Sequence, residues 1–219
     1  MIPDDSGPHR FGGDANDYDI RGLPPGAQLH HIATIDLSDP NCPIQVEDVD
    51  LQVFPLFYPL KDDGGQVQYS LYPQRVVEIH SHSNSLGMEF NPGTLPRRRF
   101  RLHRLEYEEE RLLRALDSHF RPAKLTPDDQ RISVLLSGGD PWRVGGYFET
   151  VQGPVWETCL NPQCTWRDRF GKAAISPIAL ISASTIPYGK IWDDWPEDVQ
   201  FFFGYCPHCN AIQAQNRCT

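Results

Sequence analysis

Two cysteine pairs constrain this chain more than any other feature. Cys159-Leu-Asn-Pro-Gln-Cys164 and Cys206-Pro-His-Cys209 each place two thiols across a tight turn, and 41 residues, 165 to 205, lie between the pairs. A short Cys-to-Cys turn aims both side chains at one point. Two such turns supply the four soft donors, each about 2.3 Å from the ion, that tetrahedral zinc requires. Pro162 and Pro207 suit the turns, and Gly204-Tyr205 lets the chain bend into the second. Four thiolates would leave no open coordination position. The expected site, Cys159, Cys164, Cys206 and Cys209, is therefore a structural zinc centre rather than a catalytic one. Cys218 and His208 are reserve ligands, and Cys42, in Asn-Cys-Pro, reads as a buried or loop thiol.

Two alternatives use the same residues. A pair of disulfides needs an oxidising compartment. A redox Cys-x-x-Cys at Cys206 and Cys209 belongs where a strand runs into a helix, and Asn210-Ala-Ile-Gln-Ala-Gln-Asn216 is a poor helix start. The first ten residues, Met1-Ile-Pro-Asp-Asp-Ser-Gly-Pro-His-Arg10, hold acids and no apolar run, so no secretory signal is expected. The longest weakly polar stretch, Ala173 to Ser184, is broken by Pro177 and is shorter than the roughly 20 apolar residues a membrane span needs. A cytoplasmic protein with reduced thiols is the expectation, with no membrane partner.

Hydrophobic periodicity points to a mainly β (α+β) chain. His31 to Leu37 is apolar and β-branched; Val49 to Val53 and Val67 to Leu71 alternate with period two; Arg75 to His80 is a further strand candidate. The last three, close in sequence, predict an antiparallel meander. Arg131 to Leu136, Ile178 to Ala183 and Val199 to Phe203 complete the strands; the last, so apolar that it must be covered, is expected at the centre of a sheet. Leu105, Leu112, Leu113, Leu116 and Phe120 line one face of a single helix that Pro122 stops, with Glu108, Glu109, Arg111 and Arg114 opposite. The 20 prolines and 17 glycines among 219 residues agree with many turns and short strands.

A weak repeat organises these elements. Arg10-Phe-Gly-Gly13 is matched by Arg143-Val-Gly-Gly146, Ile32 to Leu37 by Ile178 to Ala183, and Asp48 to Phe54 by Asp198 to Phe203, in the same order. The chain is expected to be a duplication: a first β-rich half, 1-104, with an irregular lead-in to about residue 28; a connecting helix, 105-121; and a second β-rich half, 122-219, that carries the cysteine insertion. The halves are expected to form one compact unit.

Other chemistry is sparse. His80-Ser81-His82 puts two imidazoles on one strand face and His30-His31 sits elsewhere, but no His-Glu-x-x-His unit, nucleophile elbow or phosphate loop accompanies them. Ser137-Gly-Gly-Asp140 and Gly145-Gly146 read as turns. The basic run Arg97, Arg98, Arg99, Arg101 and Arg104 stands beside Glu106, Glu108, Glu109 and Glu110, so it reads as internal charge pairing or a solvated face. A formal net charge of −9 disfavours nucleic acid and favours a basic partner.

Several pieces together resemble the YwqG-like family of bacterial proteins: Ile35-Asp36-Leu37; Leu51-Gln52-Val53-Phe54; Gly145-Gly146-Tyr147 with Gln152; and Phe203-Gly204-Tyr205-Cys206-Pro-His-Cys209. The likeness runs from about Gly12 to the C-terminus. Asp50 departs from it, standing where the family usually has glycine. The resemblance implies a duplicated β-rich pseudo-barrel with thiol pairs, related to the programmed-cell-death-type chaperones of a nascent ribosomal protein. It also implies kinship with immunity proteins that neutralise polymorphic toxins, and it carries over no catalytic residue. The expected function is thus non-enzymatic: a zinc-stapled protein-binding protein, with a toxin as its basic partner. The alternatives are a chaperone of a basic nascent or ribosomal chain, and a metalloenzyme built on His80, His82 and nearby acids.

Overall fold

The apolar run at Val199 is buried on both faces along its whole length, and strands pair with both of its edges. In the computed structural model, the described residues are 1–46, 48, 50–61, 65–83, 95, 97–102, 104, 143–145, 158–166, 175–182 and 199–218. They form twelve strands: β1 (Ile2–Pro3), β2 (His9–Phe11), β3 (Asp19–Arg21), β4 (His30–Asp36), β5 (Val53–Tyr58), β6 (Gln66–Tyr72), β7 (Val76–Ser83), β8 (Arg98–Arg101), β9 (Arg143–Val144), β10 (Ser176–Ser182), β11 (Val199–Cys206) and β12 (Ala211–Cys218). A five-stranded sheet has the order β1-β8-β2-β4-β5, and a seven-stranded sheet the order β3-β7-β6-β12-β11-β10-β9. The fold is mainly β. Every pairing is antiparallel except β3 with β7.

Among the described residues there is no α-helix, only two short 3-10 turns, Ala15–Asp17 and Pro73–Arg75. The helix expected at 105–121 and the strand expected at 131–136 lie outside the described residues. No helix among those described is long and apolar enough to cross a membrane.

The expected meander is corrected. β6 and β7 do form an antiparallel hairpin, but the preceding strand begins only at Val53 and belongs to the other sheet, paired with β4. Pro55 hides it in the sequence, because proline cannot donate to a ladder. β5 tolerates Pro55 because it is an edge strand whose outward groups are met from the opposite sheet. The Phe57 N–H donates to Tyr69 Oη at 2.9 Å, and the Tyr69 hydroxyl donates to the Pro55 carbonyl at 3.1 Å. One buried phenol thus satisfies two edge-strand groups that are shut off from water.

The core lies between the sheets. Phe54 and Tyr58 of β5 meet Tyr205 and Phe201 of β11 edge to face, with ring centroids 4.9 and 4.7 Å apart. Phe203, Ile181, Ile212, Val67 and Leu56 fill in around them. On β2, His9 is fully buried and stacked on Phe100 at 5.1 Å. Its Nδ1 accepts the Asp36 N–H at 2.9 Å, which fixes the proton on Nε2, and Nε2–H donates to Asp39 at 2.7 Å. This pins β2 to the turn after β4.

Two three-strand units have matching local geometry. Gly12 and Gly145 both take left-handed φ, 67° and 73°, and their N–H groups donate to Ile32 and Ile178 at 2.8 and 2.7 Å. The register of β4 shifts between His31 and Ala33, and that of β10 between Pro177 and Ala179. Beyond the shift, Ile35 faces Phe54 and Ile181 faces Phe201. The geometric counterpart of Phe54 is therefore Phe201. The Asp48 and Asp198 match read from the sequence is out of step by three positions, since pairing Asp48 with Asp198 would pair Phe54 with Gly204.

Candidate metal centre

The second cysteine pair forms where two strands meet. Cys206 ends β11 and pairs with Ala211 at the start of β12, so Pro207 to Asn210 make the connecting turn. Asn210 closes it in the left-handed region, φ 54°, where asparagine is among the best-tolerated residues. Its side-chain oxygen accepts from the Tyr205 hydroxyl at 2.7 Å, and its carbonyl accepts the Leu71 N–H at 3.0 Å. The turn leads into a strand, not into the helix that a thioredoxin-type motif uses.

The first pair is shaped by Asn161. Its carbonyl accepts the Cys164 N–H at 3.0 Å, its side-chain oxygen accepts the Gln163 N–H at 2.8 Å, and its Nδ2 donates to Ser70 Oγ at 2.9 Å. This knuckle lies on the back of the seven-stranded sheet, over β6. Gln68 holds it there, donating to the Thr158 carbonyl at 3.1 Å and accepting from the Leu160 N–H. Gly204 completes the seat, because a Cβ there would stand 2.4 Å from Ile175 Cγ2.

The four sulfurs converge. All lie within 4.8 Å of one another, and Cys159, Cys164 and Cys206 are buried while Cys209 is partly exposed. Two close approaches cross between the knuckles, Cys159 to Cys209 at 3.3 Å and Cys164 to Cys206 at 3.8 Å. A tetrahedron of sulfurs around zinc has edges of about 3.8 Å, whereas a disulfide would bring two sulfurs to about 2.0 Å. The five cysteines whose side chains are described are free thiols. Hydrogen bonds between sulfurs divide their acidities: the bond to Cys206 pushes the Cys159 thiol up, while bonds from Cys159 and Cys209 bring Cys206 down. Cys209 is pushed up by its bonds to the same neighbours. The direction at Cys206 is toward the thiolate, the form a metal binds. The donor chemistry and spacing fit one soft cation.

The hydroxyl of Ser70 ties the two knuckles together. It donates to the Cys209 carbonyl at 3.2 Å and accepts from Asn161; His80 Nε2 lies 2.7 Å away on the other side. Ser70, Asn161 and Gln68 escaped sequence reasoning. Asn161, inside the first cysteine turn, was the one with a local signal, since asparagine side chains build turns.

The remaining sequence candidates lie elsewhere. His208 stacks flat on Trp166, centroids 3.8 Å apart, beside the knuckles. Cys218 pairs with Val199 at the opposite end of the β11–β12 ladder, seven residues and about 24 Å of strand from Ala211, so it is no reserve ligand. Cys42 is half-buried against the main core, and burial raises its thiol pKa. His30 Nδ1 accepts the Leu60 N–H, and His31 Nε2 meets the Ala33 carbonyl and Thr34. Among the described residues, the four cysteines are the one group of three or more His, Cys, Asp or Glu placed to share an ion.

The fold and site define a two-sheet β protein with a four-thiol centre. Comparison with known proteins finds no matching family model, no matching curated protein and no matching solved structure.

Proposed function

We propose that this chain is a non-enzymatic, zinc-stapled protein-binding protein of the YwqG-like family, acting in the cytosol as the immunity partner of a basic toxin. The observation that carries the reading is the convergence of four cysteine sulfurs within 4.8 Å. Filled by zinc, such a set is coordinatively closed, with no position left for a substrate or an activated water, so the ion serves architecture. It would clamp the 158–166 loop to the end of β11.

The duplicated pseudo-barrel belongs to the same proposal. It is supported by the shared glycine φ, the shared glycine-to-isoleucine hydrogen bond and the shared register shift in the β2-β4-β5 and β9-β10-β11 units. A net charge of −9 supports a basic partner, because complementary charge raises the association rate. The test is co-expression with the toxin encoded beside it. Rescue of growth and a stable complex on gel filtration are expected. No rescue and no complex would overturn the immunity role, and capture of an unfolded ribosomal chain instead would favour a chaperone.

A further inference from the structure

The outer face of the five-stranded sheet carries arginines that neither the core nor the thiol centre uses. Arg10 of β2 and Arg99 of β8 stand directly opposite each other in an antiparallel pair. Their side chains therefore share a face, and two like charges side by side cost stability. Arg101, two residues along β8, falls on the same side. Arg97 and Arg10 both act electrostatically on His31. Tyr18 meets the His31 ring edge-on at 5.3 Å, and Arg75 lies 5.9 Å over Tyr18. These five arginines are exposed, while Phe100, between Arg99 and Arg101, is buried on the opposite side. Among the described residues, Asp4 lies 3.6 Å from Arg101, and Asp17 acts on His31 and Tyr18. Arg99 uses one Nη on the Gly7 carbonyl at 3.0 Å.

We propose that this arginine face is a binding site for an extended, acidic polypeptide segment, separate from the surface that meets a basic partner. The charge is supplied by arginine alone, whose planar fork pairs with a carboxylate through two hydrogen bonds. Arg99 and Arg101 repeat every second residue along a strand, about 6.8 Å, which is also the spacing of alternate side chains in an extended peptide. Two observations favour an acidic peptide over a nucleic acid. The aromatic ring on this face, Tyr18, is half-buried, with Arg75 over it and His31 at its edge, whereas base stacking is what holds single strands. The chain's −9 charge repels a long polyanion, whereas a short segment feels the local field within a Debye length of about 8 Å.

The test is fluorescence anisotropy of a labelled peptide of about ten residues alternating Glu and Ser, titrated with the full chain. A Gln-Ser peptide and a thymidine oligonucleotide of equal length are the comparison probes. Saturable binding of the Glu-Ser peptide is expected, weakening as salt rises from about 50 to about 200 mM, with no binding of the neutral peptide. Arg10→Glu should bind about tenfold more weakly. It should also melt at or above the wild-type temperature, because it turns the repulsive pair with Arg99 into an attractive one. A weakened variant that is merely unfolded would melt lower. Arg98→Glu, on the opposite side of β8, should leave the affinity within about twofold. The proposal is overturned if the acidic peptide does not saturate, if Arg10→Glu binds it as well as wild type, or if the oligonucleotide binds more tightly.

Discussion

The aromatic core between the sheets and the thiol cluster behind the second sheet hold the chain in different ways. The core joins Phe54, Tyr58, Phe201 and Tyr205 over large apolar rings, so its stability scales with area removed from water. Among the described residues, the cluster has Ile175 and Ala211 as buried apolar company for its cysteines. The 158–166 loop is held instead by hydrogen bonds to Gln68 and Ser70 and within its own turn, and on the proposed reading metal coordination would add the larger contribution. The contrast teaches that the two faces of β11 are covered differently, one by the aromatic core and the other by the Leu180–Phe202 contact and, at its end, by thiols placed to share an ion.

The largest effect should come from Cys206→Ser. It should abolish stoichiometric metal and forfeit several kcal/mol of an apparent ion-binding energy of about 10–16 kcal/mol, read by metal content and urea midpoint. Amide protection in β4 and β5 should survive. Retained metal with unchanged stability would break the comparison. Phe201→Ala should cost about 3–5 kcal/mol and leave metal content unchanged. Loss of metal as well would make the two regions a single cooperative unit.

Acid should attack the core side through buried imidazoles. Burial lowers the His31 pKa to about 4 from an ordinary 6.5, and lowers that of His9 too. Between those values the unfolded chain binds more protons than the folded one, so stability falls as pH drops from about 6.5 to about 4. His31 alone accounts for about 3 kcal/mol of that loss. Denaturation across this window should show the slope in wild type and a flatter one in His31→Gln. A slope unchanged in the variant would place the acid sensitivity elsewhere. The smallest effect is expected for Tyr69→Phe, about 1–3 kcal/mol for stranding the Phe57 N–H and the Pro55 carbonyl, again measured by urea midpoint with metal content constant.

The sequence exposed the parts of this molecule that obey local rules. The cysteine spacing located all four converging sulfurs, and the apolar runs located β4, β6, β7, β10 and β11 to within a few residues. What it hid depends on distant partners. β5 was masked by Pro55, tolerated because Tyr69 reaches across from the other sheet. β12 is built of Ala211, Gln213, Ala214 and Gln215, residues with weak strand preference, and takes strand form because β6 and β11 flank it. The switch of sheet between Tyr58 and Gln66 has no local signature. Ser70 looks like any strand serine until Asn161, His80 and Cys209 gather around it.

The central claim is that Cys159, Cys164, Cys206 and Cys209 share one ion, and cobalt substitution tests it most directly. Protein stripped of metal under reducing conditions and titrated with Co²⁺ should saturate at about one equivalent. It should develop the intense visible and near-ultraviolet bands of a tetrahedral cobalt thiolate, and zinc should bleach them. Failure to take up cobalt, with all four thiols titrating freely in the folded protein, would contradict the account.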